Sequence, residues 1–92
     1  MKLYIITIDD VFDFENFHTQ PIVKTSIKEA RKELGRLFRS AKETLEDHLG
    51  DDMAIERNEN GFDIYNDGSW SETHYAATID CIEVGSITRK VV

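Results

Sequence analysis

The sequence predicts an α+β fold in which one long helix packs on a four-stranded sheet. Apolar residues recur at steps of three and four over residues 26–49, which is the period of an amphipathic helix. Short runs of β-branched and aromatic residues before and after that segment are typical of strands. The predicted order is therefore one strand, the helix and a three-stranded meander (β-α-β-β-β) in a mixed or antiparallel sheet.

The helix is predicted to begin after Ser26 and to end near Leu49. Ser26 and Glu29 have the spacing of a capping box, and Gly50 is a typical C-terminal stop. The apolar stripe marks the side of the helix that packs on the sheet. It consists of Ile27, Ala30, Leu34, Leu37, Phe38, Ala41, Leu45 and Leu49.

Four segments have the composition of strands. They are residues 2–8, 53–57, 62–66 and 70–84. The turn signals Asn58-Glu59-Asn60-Gly61 and Asp67-Gly68 separate the last three segments into hairpins. A bulge is expected near Asp80, where the apolar residues change to the other face of the strand.

Two further segments flank these strands. Residues 9–24 are predicted to form a long acidic connection that packs partly on the core, because it contains three phenylalanines. Residues 86–91 are predicted either to add a short edge strand or to fray.

Composition bounds the class of protein. The chain has 92 residues, of which 40% are hydrophobic, and it has no Gly-, Ser- or Pro-rich linker. We therefore expect a single domain over residues 1–92. No apolar run approaches the roughly 18 residues of a membrane span. Cys81 is the single cysteine, so no internal disulfide is possible, and a cytoplasmic protein is predicted.

Charge is unevenly distributed along the chain. The net charge of −7 argues against direct nucleic-acid binding. Residues 24–50 carry seven basic and five acidic groups, and both flanking segments are acidic. Several of these basic residues follow one flank of the helix: Lys28, Lys32, Arg36, Arg39 and Lys42. Such cations either pair with carboxylates inside the domain or bind an acidic partner or a second copy of the chain.

Two other groups of side chains are candidates for a site. Clustered carboxylates are the ligands that hard cations prefer, although solvation alone explains an acidic loop. The candidates for a metal are Asp9, Asp10, Asp13, Glu15 and His18. Exposed aromatic residues on strands are good anchors for a protein partner, although they also cover sheets. The candidates for such anchors are Tyr65, Trp70 and His74.

No catalytic centre is predicted. No serine, histidine or cysteine lies in an activating motif. Cys81 is expected to be a small core residue, and His48 a partly buried packing residue beside the helix stripe. The sequence therefore predicts a protein without catalytic activity and without a cofactor.

The first third of the chain carries a resemblance. The pattern Tyr4-Ile5-Ile6-Thr7-x-Asp9-x-Val11-Phe12-Asp13-Phe14, followed by the helix start Ser26-x-x-Glu29-Ala30, resembles small proteins of gut-bacterial genomes and their mobile elements. This resemblance implies a bacterial or phage accessory protein and carries no implied activity.

Three functions are compatible with the sequence. The leading hypothesis is a small acidic interaction or regulatory module that binds another protein or itself. The second is an acidic nucleic-acid mimic, of phage or mobile-element type, that inhibits a DNA-binding enzyme through carboxylates in residues 51–92. The third is a divalent-metal-dependent activity in the Asp9–His18 segment.

Overall fold

The fold is α+β, as predicted, with one long helix packed on an antiparallel sheet. A computed structural model describes residues 1–84 of the chain. The elements are β1 (Lys2–Phe12), β2 (Glu15–Phe17), β3 (Ile22–Lys24), α1 (Ile27–Leu49), β4 (Met53–Asn58), β5 (Gly61–Asn66) and β6 (His74–Glu83). A short 3₁₀ helix, Gly50–Asp52, joins α1 to β4. No helix in the described part of the chain is long and apolar enough to span a bilayer.

The sheet has six strands, so the predicted number of four strands is wrong. The strand order is β2-β1-β6-β5-β4, and β3 also pairs with β1. The long connection predicted over residues 9–24 instead extends β1 to Phe12 and adds two three-residue strands. The extension of β1 carries the adjacent acids Asp9 and Asp10, and a strand accommodates both because successive side chains point to opposite faces.

The core lies between α1 and one face of the sheet. On the helix side it consists of Ala30, Leu34, Phe38, Ala41, Leu45 and Leu49. On the sheet side, Ile6 in β1 and Ile64 in β5 are both 0% exposed. Phe62 meets Phe38 edge to face with 5.2 Å between the ring centroids. Burying each large aliphatic side chain contributes about 1.5–3 kcal/mol, so this one layer supplies most of the hydrophobic stabilisation.

Both ends of α1 are capped, and its predicted bounds are correct to one residue. The Ser26 hydroxyl accepts a hydrogen bond of 3.3 Å from the Glu29 amide. Gly50 ends the α-helix with a φ of +55°, and its amide donates to the Glu46 carbonyl. A positive φ favours glycine, which explains the residue type at this position.

The connection between β5 and β6 is wider than the tight Asp67-Gly68 turn that the sequence predicts. β6 begins at His74, so Trp70 lies in a connection of residues 67–73 and not on a strand. The Asn66 side chain organises this connection: its amide donates to the Ser71 carbonyl at 2.8 Å, and its oxygen accepts from the Gly68 amide at 2.9 Å.

Two other expectations for β6 are wrong. The register with β1 runs without a break from Lys2↔Glu83 to Val11↔His74, so there is no bulge near Asp80. Cys81 is exposed and not in the core, because β6 continues past the part of the sheet that α1 covers. The edge strand suggested for residues 86–91 lies outside the described residues.

Backbone strain is concentrated in the turn between β1 and β2. Asp13 and Phe14 have φ values of 50° and 69°, as both central residues of a type I′ turn must. Asparagine and glycine usually occupy such positions, and a bulky aromatic residue there is an outlier. The Phe14 side chain is also 65% exposed, so packing offers little compensation.

Replacing Phe14 with Gly is therefore expected to raise the free energy of unfolding by about 0.5–1 kcal/mol, because glycine adopts a positive φ without steric cost. Urea denaturation followed by circular dichroism would measure the change. Asn16→Gly in β2, where the backbone is ordinary strand, is the matched control and should lower the same quantity. An equal decrease in the free energy of unfolding in the two variants would contradict the assignment of strain to this turn.

Candidate functional site

An open groove lies between α1 and the hairpin that β1 and β2 form. Phe12 and Phe17 stand at its sides and are 36% and 46% exposed. The groove encloses about 290 Å³. We call it the hairpin groove, and its lining residues are Asp10, Phe12, Phe17, Leu37, Ser40, Ala41, Thr44, Leu45 and Tyr75.

Strand register explains why these side chains meet. In β1, Asp10 and Phe12 point to the same face as the buried Ile6, which is the helix face. β2 folds back antiparallel and places Phe17 directly opposite Asp10. β6 places Tyr75 opposite Asp10 on its other side. Asp10 thus lies between two aromatic residues in one row across the sheet.

The helix supplies the other wall. Leu37, Ala41 and Leu45 are four residues apart, so they form one ridge along α1. Ser40 and Thr44 lie beside this ridge and give the groove a polar edge. The result is an apolar cleft with a single carboxylate in its lining.

Asp10 is electrostatically unusual within this cleft. Partial burial raises the pKa of its carboxyl, the imidazole of His74 lowers it, and the neighbouring Asp9 raises it further. Among residues 1–84, no hydrogen bond or ion pair reaches the Asp10 carboxylate. A partly buried carboxylate without a partner favours any ligand that brings a cation or a hydrogen-bond donor.

Aromatic side chains continue beyond the groove along the C-terminal end of α1. The Phe12 and His48 rings lie 4.4 Å apart, and the His48 and Trp70 rings 5.4 Å apart. The Trp70 indole donates a 2.7 Å hydrogen bond to Asp52. His48 is partly buried, as predicted, and its Nε2 has no hydrogen-bond partner among the described residues.

A polar network fixes the hairpin to the residue 67–73 connection. The Asp13 amide donates to the Thr73 hydroxyl at 2.9 Å, and the Ser71 hydroxyl donates to the Asp13 carboxylate at 3.1 Å. The two hydroxyls are 2.8 Å apart and both side chains are buried. The Phe14 amide also donates to the Glu72 carbonyl. These bonds set the position of the hairpin that carries Phe12 and Phe17.

The candidate metal ligands are separated and not convergent. Asp9 and Asp10 are neighbours in a strand, so their side chains lie on opposite faces of the sheet. Asp9 pairs with His74 at 3.0 Å on the open face. Glu15 follows the turn on β2, and His18 is exposed after that strand. Within residues 1–84, no group of three such side chains could hold a metal ion.

The basic flank of α1 is only partly paired. Arg36 forms two hydrogen bonds with Glu33, of 2.6 and 2.8 Å. Arg31, which was not among the sequence candidates, bonds to Asn60 and lies 3.7 Å from Glu59. In the described part of the chain, four residues of this flank have no carboxylate within 4.0 Å: Lys28, Lys32, Arg39 and Lys42. Internal pairing therefore accounts for some of the helix cations and leaves others in solvent.

The aromatic candidates of the last hairpin do not form one surface. Tyr65 and His74 lie opposite each other on the open face of the sheet, away from α1. Trp70 lies near the end of the helix. The open face also carries Asp63, with Glu56 directly opposite it. Burial raises the pKa of the Asp63 carboxyl and His74 lowers it, while Glu56 and Asp9 raise it further.

The sequence named Asp10 as a metal candidate but did not identify the groove around it. The available signal is the mixture of acidic and aromatic residues over 9–17, a composition that also fits a loop. The chain matches no family model, no curated protein and no solved structure. The geometry of the groove and of the polar network is therefore the basis for a functional proposal.

Proposed function

We propose that this protein is a non-enzymatic interaction module of the cytoplasm that binds a partner protein through the hairpin groove. The observation that carries the proposal is the pair of exposed phenylalanines, Phe12 and Phe17, on either side of an apolar cleft. Aromatic residues dominate binding hot spots, because they bury a large area when a partner covers them. Two exposed aromatic side chains that border one cleft form an apolar patch, and such patches mark interaction sites.

The open shape of the groove favours side chains of a protein over a small metabolite. Pockets for drug-sized ligands usually enclose about 300–1,000 Å³ and bury most of the ligand. The hairpin groove lies at the lower end of that range, at about 290 Å³, and it is open along one side. An amphipathic segment that inserts one or two side chains between a helix and a hairpin fits this shape better.

The strained turn supports the same proposal. Phe14 occupies a backbone conformation that disfavours bulky side chains, and it lies at the tip of the hairpin that forms the groove. Strain that packing does not explain tends to occur at functional sites. A large exposed aromatic residue at this position is consistent with a recognition role for the hairpin.

The nucleic-acid mimic remains a prediction with less support. Its carboxylates would have to stand free on one face of the protein, as phosphates do. Within residues 51–92, the Asp52 carboxylate instead accepts from the Trp70 indole, and that of Glu59 lies 3.7 Å from Arg31. Burial also raises the pKa of Asp63, so its charged form is disfavoured relative to an exposed carboxylate.

The proposal can be tested by selecting binders from a random library of displayed 12-residue peptides against the full chain. We expect selected peptides whose affinity falls at least about tenfold in Phe17→Ser, because hot-spot aromatics typically contribute at this level. Fluorescence polarisation with the synthetic peptides would measure the affinities. Val23→Ser is the control, since Val23 is an exposed apolar residue on the other face of the sheet. Peptides that bind both variants and the wild type equally would contradict the proposal.

A further inference from the structure

We infer that the hairpin groove recognises a basic segment, in which a Lys or Arg side chain pairs with Asp10 while adjacent apolar side chains fill the cleft. This inference rests on the proposed function and names the chemistry of its partner. Its physical basis is the position of one unpaired carboxylate in an otherwise apolar lining.

An apolar ligand alone would be a poor match for this cleft. Covering the groove removes water from the Asp10 carboxylate, and burying an ion without a partner is costly. The described residues compensate only in part, because burial raises the pKa of Asp10 by more than His74 lowers it, and neither a hydrogen bond nor an ion pair reaches the Asp10 carboxylate within residues 1–84. The compensating group must therefore come from the partner.

Among residues 1–84, no cationic side chain lines the groove, so none competes with a cation of the partner for Asp10. On β2 and β6 it faces Phe17 and Tyr75, and on α1 it faces the aliphatic ridge and two hydroxyl residues. The nearest charged groups on β1 and β6 are Asp9 and His74, which pair with each other on the opposite face of the sheet.

The remaining elements around the groove do not supply a cation either. On α1, Arg36 is held by its hydrogen bonds to Glu33. His48 packs against the Phe12 ring and does not line the groove.

The aromatic walls favour arginine among the basic residues. A guanidinium can stack on the face of a phenylalanine while its N–H groups donate to a carboxylate. Phe12 and Phe17 flank Asp10, so one guanidinium could contact a ring and the carboxylate together. The chain already contains a stacked arginine elsewhere, since the Arg57 guanidinium lies 4.0 Å from the centre of the Phe38 ring. The net charge of −7 adds a long-range attraction for a basic segment.

The test is a parallel selection of the 12-residue library on the wild-type chain and on Asp10→Asn. On the wild type we expect a consensus with Arg or Lys at a fixed spacing from aromatic or aliphatic residues. On Asp10→Asn the basic position should disappear from the consensus. Peptides selected on the wild type should lose at least about tenfold in affinity for that variant, because a partly buried carboxylate is replaced by a neutral isostere.

Asp9→Asn is the matched control, since it removes the adjacent carboxylate from the opposite face of the same strand. It should leave peptide affinity unchanged. We expect Asp10→Asn to remain folded, because burial raises the pKa of Asp10, and the circular dichroism melting curve of the variant checks this. A raised carboxyl pKa means that its charge opposes folding at neutral pH, so the variant should be at least as stable there.

Each other outcome has a distinct meaning. An apolar or acidic consensus that depends on Phe17 but not on Asp10 would overturn this inference and leave the proposed function intact. Peptides that are insensitive to Phe17→Ser would overturn the proposed function itself. Equal losses in Asp9→Asn and Asp10→Asn would indicate a general charge effect and would also overturn the inference.

Discussion

Replacing Ile64 with Ala is expected to lower the free energy of unfolding by about 2–5 kcal/mol, because the deleted atoms leave a cavity that the core fills only in part. Ile64 is 0% exposed and points from β5 into the layer under α1. Domains of this size are stable by only about 5–15 kcal/mol, so a large fraction of molecules could unfold. Urea denaturation followed by far-UV circular dichroism would measure the loss.

Ile55 provides a matched control for that experiment. It lies directly opposite Ile64 in the β4–β5 register and on the same face, but it is 40% exposed at the edge of the sheet. Ile55→Ala is expected to cost less than about 1 kcal/mol, because the partly exposed side chain buries less area and leaves no closed cavity. Similar losses in both variants would show that the core is not centred where the structure places it.

Replacing Thr73 with Val should lower the free energy of unfolding by about 1–3 kcal/mol, since it removes a buried hydrogen-bond acceptor without changing the shape of the side chain. Thr73 is 2% exposed, and its hydroxyl accepts from the Asp13 amide and contacts the Ser71 hydroxyl. The variant leaves that amide without its acceptor. Amide hydrogen exchange at Asp13 should therefore accelerate by more than exchange in the centre of β6.

Thr78→Val is the control for this second substitution. Thr78 lies on β6, the strand that follows Thr73, and it is exposed on the open face. The same chemical change there is expected to alter the free energy of unfolding by no more than about 0.5 kcal/mol. If the two variants behaved alike, the network around Asp13 would not contribute to stability.

The parts of the fold that the sequence predicted are those with strong local signals. The helix was predicted correctly because its stripe repeats over 23 residues and both of its ends carry capping residues. The β4–β5 hairpin was predicted because Asn58-Glu59-Asn60-Gly61 marks a turn, and Asn58 pairs with Gly61 across it. Close packing between β5 and β6 also favours glycine at position 61, since a Cβ there would lie 3.0 Å from the Ala77 carbonyl oxygen.

The parts that were missed have no local signal of that kind. β2 and β3 are three residues long, and their pairing with β1 is what defines them as strands. The turn at Asp13 and Phe14 lacks glycine and asparagine. The hairpin groove exists only when β2 folds back on β1, so Phe17 and Asp10 become neighbours through a pairing that spacing along the chain does not reveal.

The same reasoning explains the dispersal of the acidic candidates. Five ligands spread over ten residues can converge when the backbone is an irregular loop. In a strand, alternation sends neighbours to opposite faces, as it does with Asp9 and Asp10. The interpretation of one segment as a loop therefore produced both the missing strands and the unsupported metal cluster.

The pairing of β1 with β6 has a consequence for how the chain reaches its fold during synthesis. Ten residue pairs join these strands, and they connect positions more than 60 residues apart in sequence. β1 leaves the ribosome long before its partner, while α1 and the β4–β5 hairpin can already form locally. Sheets closed by such distant pairings fold on the millisecond-to-second scale. Until β6 emerges, the β1 edge that will receive it is open to pairing with other chains.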